Sequence, residues 1–153
     1  MLLNRSSLSI GPTLITTLVL FTVLGTTPAR ADVSLNSGFG QTSISGTAGG
    51  GTSLRDVAGK SETATGSCLG FGKGQPDQVL RLNSGFRDLT VVVKSNVDTT
   101  IVVKGPGGTW CNDDFQGKNP GLDGEWKAGE YKIWIGTQSR NQSVNYVLKM
   151  SQE

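Results

Sequence analysis

Histidine is absent from the 153-residue chain, and that absence removes more chemistry than any other feature. A serine or cysteine nucleophile has no imidazole to take its proton. A tetrahedral zinc shell would have to be built without imidazole, and two thiolates alone do not fill it. Aromatic residues are sparse at 7%. Apolar residues at helical spacing are also missing: beyond residue 31, no segment sustains such a stripe for three turns. Any catalyst here would rest on a Ser–Lys pair or on paired carboxylates. The lysines show no recognisable spacing to a serine, and the adjacent Asp113 and Asp114 would point to opposite faces of a strand. No catalytic residue is assigned.

The longest apolar run, Leu14–Leu24, is interrupted by Thr16, Thr17 and Thr22 and is about half the roughly 20 residues a spanning helix needs. Arg5 precedes it, Pro28 breaks it, and Ala29-Arg30-Ala31 places small residues where a signal peptidase reads them. Residues 1–31 are therefore expected to be a signal peptide, and 32–153 a single domain that is periplasmic or secreted. With Arg5 and Arg30 removed from the 14 basic residues, 12 remain against 12 acidic ones. A neutral surface gives no electrostatic reason to bind nucleic acid or anionic lipid, and no membrane insertion is expected once the leader is cleaved.

In an oxidising compartment, Cys68 and Cys111 are expected to pair. Closing a loop of about 44 residues stabilises by roughly 4 kcal/mol in the chain-entropy treatment.

Alternation of period two, punctuated by Gly, Pro, Asn and Asp, predicts strands. They are placed at residues 39–45, 61–68, 78–82, 89–94, 99–104, 109–111, 131–135 and 144–150, with residues 52–60 ambiguous. Ser95-Asn96-Val97-Asp98 and Gly105-Pro106-Gly107-Gly108 read as the turns of a hairpin series. Many short strands with glycine-rich turns predict an all-β, two-sheet sandwich. Tyr131, Ile133 and Ile135 share one face, which puts Trp134 on the other. If the aliphatic face is core, Trp134 points outward, and with Trp110 and Trp126 it is a candidate for stacking on a ligand.

The segment Trp110-Cys111-Asn112-Asp113-Asp114 is the densest in functional groups. Asn and Asp side chains bond their own backbone, so the acids can simply organise a turn. The other reading is a hard-cation site, with Asp98, Asn112, Asp113 and Asp114 as oxygen ligands for calcium. Calcium takes six to eight oxygens, so backbone and water would supply the rest.

Three segments in order, Asp98-Thr99-Thr100-Ile101-Val102-Val103, the run from Gly105 to Asp114, and Gly129-Glu130-Tyr131-Lys132-Ile133-Trp134-Ile135-Gly136, resemble the bacterial pre-peptidase C-terminal domain. Cys68-Leu69-Gly70-Phe71 and Gln75-Pro76-Asp77 fit a cysteine-bearing exported variant of it. The resemblance covers roughly residues 78–150. It implies a jelly-roll-like β-sandwich of seven or eight short antiparallel strands, carried on secreted proteases as a non-catalytic accessory. Some relatives bind calcium, and some bind extracellular polymers such as collagen. Asp98 and the Asp113/Asp114 pair match the family's recurrent acids, whereas its N-terminal acidic ligands have no counterpart before Asp56 except Asp32. No attached protease domain is expected. The expected function is a binding or accessory module for an envelope or extracellular protein or polysaccharide, a separate secreted protease among the partners. A structural envelope protein and a small hydrolase are the alternatives.

Overall fold

The computed structural model describes residues 31–152; the leader expected over 1–31 lies outside them except for its last residue. In chain order the elements are β1 (Ala31–Leu35), β2 (Thr42–Ala48), β3 (Thr52–Ser53), a short helix α1 (Leu54–Ala58), β4 (Glu62–Thr63), β5 (Gly66–Ser67) and β6 (Phe71–Gly72). They continue with β7 (Gln78–Leu82), β8 (Leu89–Lys94), β9 (Thr99–Gly105), β10 (Gly108–Asn112), β11 (Gly121–Leu122), β12 (Gly129–Thr137) and β13 (Val144–Gln152). Eight of these strands are five residues or longer, and they make the all-β sandwich.

One sheet places β12 at its centre. On one edge β12 pairs with β7, which in turn carries β1, and further along with β6, which carries β3. On its other edge β12 pairs with β9, and β9 forms a hairpin with β10. The second sheet runs β11-β8-β13-β2. Strands β4 and β5 form a separate small ribbon.

Three sequence expectations change. The β1–β7 pair is parallel, so the sandwich is not wholly antiparallel. The Ser95–Asp98 turn does not close a hairpin, because β8 belongs to one sheet and β9 to the other, and the chain crosses between layers there. Residues 61–68 are a tight ribbon (β4–β5) and not one strand, and 52–60 supplies β3 and α1.

Between the sheets lies the main core, built from Leu80, Leu82, Val91, Val93, Ile101, Val103, Tyr131, Ile133, Ile135, Tyr146, Leu148 and their neighbours. Alternation puts these residues on the inner faces. The nearly continuous apolar run of β9 has a second cause: Val102 faces away from this core and is still fully buried. There it joins a smaller cluster with Leu54, Ala58, Cys68, Cys111 and Trp134. The α1 turn thus seals the outer face of the β9–β12 pair. Gly136 permits this approach, since a Cβ there would lie 2.6 Å from Leu54 Cδ1.

The Cys68–Cys111 disulfide closes inside that outer cluster, with both residues buried. It fastens the covering segment to β10. Threonines complete the seam: Thr63 Oγ1 accepts the Cys111 N–H at 3.0 Å, and the Thr65 hydroxyl donates to the Cys111 carbonyl at 2.9 Å. These bonds occupy backbone groups on the side of β10 away from β9, where an edge strand would otherwise leave them unpaired.

Asp77 performs a similar service for β12. Its backbone N–H donates to the Ile133 carbonyl (2.8 Å) and its Oδ2 accepts the Ile135 N–H (2.8 Å). The side chain therefore stands in for backbone at the gap between β7 and β6. It is 1% exposed and its Oδ1 takes an ion-pair hydrogen bond from Lys73 at 2.6 Å. Burial nevertheless pushes its carboxyl above the usual aspartate range, because Lys73 is half in water and offsets the desolvation only in part.

Candidate functional site: an aromatic pocket at the hairpin end

The β9–β10 hairpin turns through Pro106-Gly107, and its inner face meets the start of β12. Trp110 on β10 lies over Trp126, with ring centroids 6.4 Å apart and planes 29° from parallel. Trp126 in turn packs on Tyr131, at 4.9 Å and 60°. Tyr131 and Trp126 are almost wholly buried and belong to the main core, whereas Trp110 keeps a partly exposed face. The Tyr131 hydroxyl donates to the Lys127 carbonyl at 2.9 Å, which ties the loop before β12 to the ring; burial raises this phenol above its ordinary range. Gly105 is required beside it, since a Cβ there would come within 2.2 Å of the Tyr131 ring.

The rings wall a cavity of about 230 Å³, completed by Pro106 and Leu122, with the exposed Asp123, Glu125 and Lys127 at its mouth. The arrangement offers a rigid apolar floor and a rim bearing both charges. Such a surface can stack a flat or ring-shaped group and fix its orientation with hydrogen bonds.

Trp110 therefore sits where the sequence argument wanted an accessible aromatic. Trp134 does not. Its outward orientation holds, but α1 and the disulfide cover that face and leave it 7% exposed. Alternation determines which side a residue takes and says nothing about what is laid over it. Trp126 and Tyr131, which complete the pocket, lie outside the Asn-Asp-Asp segment that drew attention in the sequence. Trp126 is held there by a bridge to Phe86 with mutual backbone bonds of 2.8 and 2.9 Å, a pairing with no local sequence signature.

Asn112, proposed as a cation ligand, is committed to structure: its Oδ1 accepts the Gly121 N–H (3.0 Å) and its Nδ2 donates to the Thr65 carbonyl (3.0 Å). Asp113 and Asp114 follow β10 into the loop. Burial, then the charge of Asp114 and, after Asp113's own backbone bond, that of Asp98, raise the Asp113 carboxyl above its usual range. The three acids thus interact as like charges. Among the described residues no three Asp, Glu or Cys side chains gather so as to hold a metal ion, and Asp98 Oδ1 is buried without a hydrogen-bond partner among them. No helix among those residues is long and apolar enough to cross a membrane.

No family model matches the chain. An uncharacterized protein of Synechococcus elongatus is 35% identical over 68 residues, which cover 44% of this chain and 48% of that protein. The match thus spans about half the length of this curated relative. The structure is similar to the crystal structure of the pre-peptidase C-terminal domain of a collagenase from Bacillus anthracis. There the TM-score is 0.45 with 12% identity, over 82% of this chain and 99% of that one.

Proposed function

We propose that the domain is an exported, non-catalytic binding or accessory module. In this reading it meets an envelope or extracellular protein or polysaccharide through the aromatic pocket. The observation that carries the reading is the partly exposed face of Trp110, held over Trp126 and Tyr131 beside a preformed cavity. Rigid aromatics at a concave site concentrate contact area at low cost in side-chain entropy. The buried Cys68–Cys111 bond suits a chain that folds in an oxidising compartment.

Trp110→Ala tests the reading, because the side chain is partly exposed and its removal leaves the β9–β10 register intact. Wild type and variant are compared for binding to fractionated envelope polysaccharides and exported proteins, with melting temperature as the folding control. The expected result is at least a tenfold loss of affinity in the variant. Equal binding by both proteins would refute a ligand at this pocket.

A further inference from the structure

Tyr131 faces the aromatic pocket; its neighbour Lys132 faces the other side of the same sheet. That side carries a second, open concavity of about 540 Å³. Gln75 and Pro76 line it from one flank, and Lys104, Glu130, Lys132 and Trp134 from the sheet. Two observations at this place need a common explanation.

First, Lys104 on β9 and Lys132 on β12 are direct cross-strand partners. Like charges so placed repel one another and weaken the pair. Second, neither lysine has a carboxylate partner: the ion pairs among the described residues are Lys73–Asp77 and Arg81–Glu130. Lys104 Nζ donates to the neutral Val57 carbonyl at 3.0 Å, and Glu130, the one acid lining the cavity, is held by Arg81 at 3.0 Å.

We infer that this concavity is an anion site, whose ligand is an oxyanion group, carboxylate or phosphate, set between the Lys104 and Lys132 ammonium groups. Such a group neutralises the opposed lysines and uses charge-assisted hydrogen bonds. The open mouth suits an acidic substituent projecting from a larger molecule. This inference does not rest on the aromatic pocket, which lies on the opposite face of the β9–β12 pair.

The test uses the mature chain with sodium phosphate and, separately, sodium acetate, against sodium chloride at matched ionic strength. Tryptophan fluorescence and melting temperature are followed together. Phosphate also stabilises proteins generally by exclusion from their surfaces, so the decisive comparison is with Lys132→Gln, an exposed position whose change leaves the fold intact. The expected result is saturable binding in the wild type that weakens at least tenfold in Lys132→Gln and strengthens in Glu130→Gln. The tighter of the two probes identifies the chemistry of the natural group. Equal responses of wild type and Lys132→Gln, or no saturation with either anion, would overturn the site. Trp110→Ala should leave the anion response unchanged, so failure here and failure at the aromatic pocket are read separately.

Discussion

Removing the disulfide with Cys68→Ala/Cys111→Ala is expected to cost about 4 kcal/mol. The bond spans a sequence separation of 43 residues. Cross-linking across that distance removes roughly 13 cal/mol/K from the unfolded chain, or about 4 kcal/mol at room temperature. Unfolding entropy of roughly 2.1 cal/mol/K per residue, summed over a domain of about 120 residues, converts this into a fall of about 15 °C in melting temperature. A typical stability of 5–15 kcal/mol leaves the variant folded at low temperature. Urea denaturation at 10 °C gives the free energy, and calorimetry gives the temperature shift. A local readout accompanies the global one: the bond anchors the segment that buries Trp134, so the indole emission should move to the red before the main transition. A loss below about 1 kcal/mol, or simultaneous change of emission and global unfolding, would refute the reasoning. It would mean that packing of Leu54 and Ala58 alone holds the covering segment down.

Asp77→Ala should destabilise by about 3 kcal/mol, since it strips a buried network and leaves the Ile135 N–H unpaired. Asp77→Asn keeps an acceptor for that N–H and should lose about half as much; equal losses in urea melts would argue against the strand-gap role. Because the folded carboxyl of Asp77 ionises above its usual range, the native state holds its proton at pH values where the unfolded chain has released it. Stability from this group therefore falls as pH rises from the ordinary aspartate value through the folded one, and the Asn variant should lack that slope. Asp113 carries the same sign. Asp113→Asn is expected to stabilise slightly at neutral pH, by no more than about 0.5 kcal/mol because solvent screens this largely exposed carboxyl, with the gain vanishing near pH 3.8 and below, as thermal melts across pH will show.

The strands with strong β-branched alternation were legible in the sequence: β7 and β8 run over the same residues, and β9, β12 and β13 differ only at their ends. Which sheet each joins was not. Ser95–Asp98 carries the polar residues of a tight turn, and those residues are compatible equally with a hairpin and with a crossing between layers. β1 escaped notice because Asp32-Val33-Ser34-Leu35 sits against the expected cleavage point and pairs in parallel with a strand more than 40 residues away. The α1 turn has five residues, too few to display a helical period, and with it the burial of Trp134 went unseen. Asp77 follows a proline in a glycine-rich stretch and reads as turn chemistry; its partner Ile135 is 58 residues distant. At the candidate site, Trp110 was found through its company in the sequence. Trp126 was named there as a stacking candidate too, but that it and Tyr131 close on Trp110 follows only from long-range pairing.

Consecutive residues on β12 serve opposite sides of the molecule, and this makes the alignment of β9 against β12 a single adjustment shared by both concavities. Sliding β12 by one position would turn Lys132 toward hydrocarbon and Tyr131 toward solvent together. The core would reject that arrangement before either surface was presented, so an error in threading cannot yield a folded molecule with only one of the two surfaces misassembled.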